Sequence, residues 1–193
     1  MSKLNNWFRE KGREQTCLKG DVLFLRGDRS RGPFFVKSGQ IRLYRQDEDG
    51  REITLHRART GELFAEASIF SEAYHCDCLA EKKSTVIAIP KIEFIKAIES
   101  QPAFAAEFSK ILARQVTALR TQLELRNIRS ADERILSAFL LKAGEPGIPF
   151  RLDGTLKAFA AEIGLTHEAL YCSINKLVKN RRLKREGITY IVP

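Results

Sequence analysis

Between Leu18 and Ile89 the chain is cut into short pieces by turn-forming pairs: Gly20-Asp21, Gly27-Asp28, Gly39-Gln40, Asp49-Gly50 and Gly61-Glu62, most of them about eleven residues apart. That punctuation constrains the fold more than any other feature, because each interval holds one short extended run. The runs are VLFL (22–25), FFV (34–36), IRLY (41–44), EITLHRA (52–58) and TVIAIP (85–90). Ile41-Arg42-Leu43-Tyr44 and Ile53-Thr54-Leu55-His56 alternate as strands with one apolar face do. Many short strands with regular turns predict a sandwich, jelly roll or small barrel. Ahead of them, residues 1–14 read as a short amphipathic helix carrying Trp7 and Phe8.

Pro90 closes the β-rich region, and a short helix is expected over 92–100 with Ile92, Ile95 and Ile98 on one side. Pro102 stands where a new helix can begin, and 103–127 contains neither glycine nor proline. Along it Leu112, Val116, Leu119 and Leu123 step by four, three and four, the spacing of a coiled-coil seam. Such a stripe either packs against the β domain or joins two copies of the chain. A helix of about 24 residues extends roughly 36 Å, beyond what a small β domain covers, so dimerisation is the favoured reading. Arg126, Asn127, Arg129 and Ser130 interrupt the stripe as a hinge. A further helix is expected over 131–144, with Ile135, Leu136, Phe139 and Leu140 inward, then a turn at Pro146, Gly147 and Pro149 and a strand over 150–152.

From Thr155 to Gly187 two helical runs are separated by Gly164-Leu165-Thr166. Leu156, Phe159, Ala160 and Ile163 share one face of the first, and Leu170, Ile174 and Leu177 one face of the second. Thr166 can cap the second helix, and Gly164 gives the turn its backbone freedom. Spacing alone fits an ordinary packed helix pair as well as a helix-turn-helix. The DNA-binding reading gains from Lys176, Lys179, Arg181, Arg182, Lys184 and Arg185 and from REGITYIVP, a strand–turn–strand pattern suited to a wing. The expected organisation is α+β: a β-rich domain over 1–102, a long helix and hinge over 103–130, and a winged helix-turn-helix over 131–193.

The 193 residues carry a formal net charge of +9, which suits a polyanion and makes DNA binding salt-dependent. Cys17, Cys76, Cys78 and Cys172 are scattered and form no secreted-domain framework. The Met-Ser-Lys start has no signal-peptide apolar stretch and no run approaches a membrane span, so a cytoplasmic protein with reduced thiols is expected. No phosphate loop, complete metal motif or local nucleophile–base pair speaks for an enzyme.

GDVLFLRGD (20–28), FFVKSGQIRLY (34–44), GELFAEASIF (61–70) and AAEIGLTHEALYCSINKL (160–177), in that order, resemble the CRP/FNR family of bacterial transcription regulators. The resemblance covers nearly the whole chain. It implies a double-stranded β-helix (jelly-roll, cupin-like) sensor, a homodimer joined through Leu112, Val116, Leu119 and Leu123, and two recognition helices on a pseudo-palindromic operator in double-stranded DNA. RNA polymerase is implied as a further partner, and no membrane. The family pattern at the start of the recognition helix falls on Thr166, His167 and Glu168, where Glu168 matches the base-reading glutamate and can accept from cytosine N4. His167 and Cys172 stand where family members carry arginines, so the operator is not transferable. Tyr171 and Asn175 lie between and beyond them, Lys176 follows, and Thr155 and Lys157 resemble the family's phosphate-contact positions.

In cyclic-nucleotide-binding members a GEL sequence opens a cassette whose later Arg-Ser pair holds the phosphate. Gly61, Glu62 and Leu63 match its opening, but no arginine occurs from 60 to 100. A buried phosphate without a cation is costly, so a cyclic nucleotide is disfavoured and the effector is left open. His75-Cys76-Asp77-Cys78 offers a second chemistry. In a strand, Cys76 and Cys78 share one face, and with His75 they could hold a metal or haem or act as a redox pair; equally, they are small core residues beside a surface histidine. The resemblance therefore implies a regulator answering to a β-roll signal, with haem, metal or thiol sensing, or constitutive DNA binding without an effector, as alternatives.

Overall fold

The computed structural model describes residues 3–193 apart from Asp153, so the first two residues of the expected 1–14 helix lie outside the described residues. The chain divides into two compact units, residues 1–110 and 111–193. Among the described residues, no helix is long and apolar enough to cross a membrane.

The first unit opens with α1 (Lys3–Lys11) and β1 (Arg13–Cys17) and continues through β2 (Val22–Phe24), β3 (Phe34–Ser38), β4 (Gln40–Gln46) and β5 (Glu52–Arg59). After these come β6 (Leu63–Phe64), a 3-10 turn (Glu66–Ser68), β7 (Asp77–Ala80), β8 (Ser84–Ala88) and α2 (Lys91–Ser100). The strands form two four-stranded sheets in the orders β1-β8-β3-β6 and β2-β7-β4-β5. Every described pairing is antiparallel. The two sheets fall within the sandwich, jelly roll or small barrel that the turn spacing predicts, and with the helices the fold is the α+β β-roll that the family resemblance implies. Between the sheets lies a core that includes Phe24, Phe34, Ile41, Leu43, Phe64, Tyr74, Cys76, Cys78 and Val86. Gly39 links β3 to β4 at φ +101, and a Cβ there would sit 2.6 Å from Ser84 Cα, so only glycine lets this hairpin lie against β8.

Three local expectations are corrected. The predicted N-terminal helix stops at Lys11, where the Gly12 amide donates to Phe8 O at 2.9 Å, and residues 13–17 become an edge strand paired with β8. The helix over 92–100 forms, but it buries Phe94 and Ala97 and leaves Ile92 77% exposed. Aromatic packing decides this: Phe94 lies 5.1 Å from both Phe104 and Phe108, and Trp7 stands 4.6 Å from Phe104. Aromatic side chains bury more area than isoleucine, so they set the helix rotation. Finally, Ile53 and Leu55 on β5 are exposed, and Ala58 is the strand's buried residue. β5 is the end strand of its sheet, and the bulge between Leu43 and Tyr44 shifts its pairing register.

α3 (Pro102–Asn127) carries the chain from the first unit into the second. There follow α4 (Ala131–Ala143), β9 (Phe150–Arg151), α5 (Leu156–Glu162), α6 (His167–Lys179), β10 (Lys184–Glu186) and β11 (Thr189–Ile191). β9, β10 and β11 make a three-stranded sheet in the order β10-β11-β9. The second core centres on Phe139, whose ring lies 5.2 Å from Phe159, 4.9 Å from Phe150 and 4.8 Å from Tyr190. Ile135, Leu170, Ile174 and Leu177 complete it. α4, α5, α6 and the three-stranded sheet thereby share a single apolar centre, which fixes the presentation of α6.

Candidate nucleic-acid interface and β-roll site

Both helices of the pair are capped as their sequences suggest. The Ala158 amide donates to Thr155 Oγ1 and the Ala169 amide to Thr166 Oγ1, each at 3.1 Å. Gly164 adopts φ +68 in the turn between them, a conformation that costs other residues strain. Leu170, Ile174 and Leu177 bury the inner face of α6. Helical geometry then leaves His167, Glu168, Tyr171, Cys172 and Asn175 on one exposed stripe. Thr155 and Lys157 are exposed at the start of α5. Hydrogen bonds from its own backbone amide and from the Thr166 hydroxyl hold the Glu168 carboxyl below the ordinary glutamate range. It is therefore an anion at neutral pH with acceptor capacity left for a base edge.

Lys176 is engaged differently. Its ammonium lies 2.7 Å from Asp132 at the start of α4. The hydrogen bond from Lys176 holds the Asp132 carboxyl below its usual range, with Ser173 as a second donor. Arg182 pairs with Glu133 at 2.8 Å. The two acids of the first turn of α4 thus anchor the end of α6 and the entry to the wing. A phosphate contact by Lys176 requires exchange with Asp132 or sharing of the ammonium. The wing itself is a hairpin with Glu186 opposite Thr189 and Gly187 at φ +62. Lys184 and Arg185 are exposed on it, and the Arg185 guanidinium lies 5.7 Å from the Tyr190 ring centre.

Arg134 is a positioning residue that sequence reasoning missed. Its guanidinium donates to Ile128 O at 2.6 and 2.9 Å, to Ile163 O at 3.3 Å and to Gly164 O at 3.1 Å. It ties the segment before α4 to the turn between α5 and α6. Local pattern gives no hint of it, because two of its three main-chain carbonyl partners are about thirty residues away.

On α3, Leu112, Val116, Leu119 and Leu123 are 37, 45, 56 and 61% exposed. Four apolar side chains on one helical stripe, all open to solvent in the single chain, form a face that another surface can cover.

In the β-roll, the residues proposed from sequence do not converge. Gly61 sits in the β5–β6 turn at φ +92, and the exposed Glu62 carboxylate accepts from the Arg59 amide at 3.0 Å. Leu63 is buried at the start of β6, paired with Phe35. The short helix that follows is entered from Ala65 at φ 60, and its first-turn acid is Glu66. Alanine in a left-handed position carries no sequence signature of a turn, so this entry to the helix is set by the fold. Cys76 and Cys78 are 1 and 0% exposed and belong to the core, whereas His75 is exposed, with Nδ1 2.9 Å from Ser68 Oγ. Burial pushes the Cys76 thiol up to about 11 and that of Cys78 higher still. Both are neutral thiols near pH 7 and poor nucleophiles. Among the described residues, no group of three or more His, Cys, Asp or Glu side chains could hold a metal ion. A cation does reach this segment: Arg45 Nε of β4 donates to His75 O at 2.9 Å, from outside the 60–100 window.

The model of the cyclic nucleotide-binding domain family matches residues 14–101, the β-roll and α2. The chain is 28% identical over 123 residues to the cyclic AMP receptor protein of Thermus thermophilus, a match covering 63% of this chain and 57% of that protein. It therefore spans little more than half the length of that relative. It is 25% identical over 175 residues to the transcriptional activator protein FnrA of Stutzerimonas stutzeri, covering 88% of this chain and 72% of FnrA. A solved CooA variant from Carboxydothermus hydrogenoformans covers all of this chain and 88% of its own, with a TM-score of 0.76 at 22% identity. At that identity the likeness speaks for the fold.

Proposed function

We propose that the chain is a transcription regulator of the CRP/FNR family, a homodimer that binds double-stranded DNA sequence-specifically under control of its β-roll. The observation that carries this reading is the face of α6: a capped helix whose inner side is core and whose outer side presents His167, Glu168, Tyr171, Cys172 and Asn175. In this reading Glu168 accepts from a base edge, while Thr155, Lys157, Lys184 and Arg185 neutralise phosphates. Thr166 sets the helix start. Two copies joined along Leu112, Val116, Leu119 and Leu123 place two such helices in successive major grooves, about 34 Å apart.

The organisation follows as a sensor over 1–102, a coupling helix and hinge over 103–130 and a reader over 131–193. A ligand of the β-roll acts only through different affinities for the two arrangements of the long-helix pair. We infer a signal other than a cyclic nucleotide, because no arginine occurs from 60 to 100 to neutralise a buried phosphate. Fragments of a bacterial genome titrated with the full chain at 50 and 200 mM salt test the reading. A pseudo-palindromic motif should be enriched, and its affinity should fall steeply with salt. Unselective capture, or affinity indifferent to salt, would sink it.

A further inference from the structure

A cleft of about 360 Å³ opens where the two sheets part beside β1 and β2, the end strands of their sheets. β5 and β6 are the opposite end strands, and the short helix at Glu66–Ser68 follows β6. None of Gly61, Glu62 and Leu63 lines the cleft. Its walls come from the 23–34 stretch together with Gln15, Tyr74 and Ala88, with Arg29 and Arg31 in the β2–β3 connection. We propose that this cleft binds a small aromatic anion, a carboxylate carried on one or two rings.

Charge argues for the anion. Arg29 and Arg31 line the cleft with a single acid, Asp28, whose carboxylate is already taken by the Leu25 amide at 2.8 Å. The Tyr74 hydroxyl is also committed, donating to Gly32 O at 2.9 Å and accepting from the Arg31 amide at 3.2 Å. The groups that remain to grip a ligand are two guanidiniums and the Gln15 amide. Planar guanidiniums match a carboxylate in geometry as well as in charge.

Shape and lining argue for the ring. Leu23, Phe24, Phe34 and Ala88 supply an apolar wall, and a volume near the lower end of small-molecule sites suits one or two rings. The wall is also braced. Phe24 packs on Phe34 at 5.7 Å and Phe34 on Phe64 at 5.1 Å, so the floor of the cleft rests on β6. A preformed floor keeps the ordering cost of binding low.

The inference goes beyond the regulator reading and is tested without DNA. The full chain, labelled with ¹⁵N, is titrated with benzoate, 2-naphthoate and the neutral benzamide. Saturable shifts are expected at Gln15, Phe24, Arg31 and Tyr74, with benzamide at least about tenfold weaker than benzoate. The R29Q/R31Q double variant changes two exposed side chains and should weaken benzoate by about tenfold or more while its remaining spectrum stays that of the parent. The proposal is overturned by any of three results: no saturable shift with either carboxylate, equal binding of benzamide, or full affinity in R29Q/R31Q. Shifts centred on Glu66–Ser68 instead would place the ligand at the other end of the roll and overturn it equally.

Discussion

Leu119→Ala is the sharpest probe of the proposed dimer. Leu119 is 56% exposed in the single chain, which leaves roughly 100 Å² of a leucine's surface for a partner to cover. Truncation to alanine removes most of that apolar area from both protomers of a symmetric pair. At about 25 cal/mol per Å², with part of the area staying wet at the seam, the loss is about 2–3 kcal/mol per dimer. The dimer dissociation constant should then rise about 30- to 150-fold. Alanine is the better helix former, so α3 itself does not weaken, and helical circular dichroism should match the parent. Sedimentation equilibrium of the full chain across the micromolar range reads the constant directly. Leu123→Ala, at a position 61% exposed, should act in the same direction, and the double variant should be weaker than either. A parent chain that stays monomeric at high micromolar concentration would refute the reasoning. So would a Leu119→Ala dimer weakened less than twofold.

Glu168→Ala should relax discrimination at one base position of each half-site by about 1–3 kcal/mol while leaving the salt dependence unchanged; an unaltered preference in a binding-site selection would remove Glu168 from base reading. Asp132→Asn should lower the unfolding free energy at pH 7 by about 1 kcal/mol, since it leaves Lys176 without its anion. Asp132 has a lowered folded pKa, so its stabilisation is present above the unfolded value near 3.9 and lost as pH falls through the folded one. Urea unfolding at pH 7 should separate parent from variant, and at pH 2 the difference should shrink. Arg134→Ala removes a guanidinium that holds three main-chain carbonyls and should cost about 2–3 kcal/mol, with a fall in melting temperature and weaker DNA binding together. Iodoacetamide at pH 7.5 should label the exposed Cys172 in the native protein and reach buried Cys17, Cys76 and Cys78 only after denaturation. Rapid native labelling of Cys76 would instead revive thiol chemistry in the β-roll.

Most of the architecture was legible because its causes are local. Turn residues space the strands of the roll, and Thr155 and Thr166 each cap a helix through an amide three residues on. The wing hairpin turns at Gly187, as REGITYIVP suggests. Helical periodicity also placed Leu170, Ile174 and Leu177 inward, and that alone assigns the outward stripe of α6. Where periodicity was ambiguous, packing overruled it. The isoleucine face expected for α2 gave way to Phe94 and Ala97, because an aromatic cluster drawn from α1 and α3 needed that side. The apolar alternation of β5 likewise faces outward at an end strand.

The candidate sites divide along the same line. Sequence by itself determined the order of β-roll, long helix and winged helix pair, the exposed face of α6 and the Leu112–Leu123 stripe, since each depends on residues a few positions apart. Tertiary structure alone decided that Lys176 pairs with Asp132, that Arg134 braces the α5–α6 turn and that Cys76 and Cys78 turn inward while His75 turns out. It alone brought Arg45 to His75 and set Arg29 and Arg31 over an aromatic cleft. Caps, turns and periodicity act within about one helical turn or one strand and so leave a mark in the sequence. The Lys176–Asp132 pair, the Arg134 bond to Gly164 and the Arg45 bond to His75 join segments thirty or more residues apart, and such partners are chosen only when the chain closes on its core.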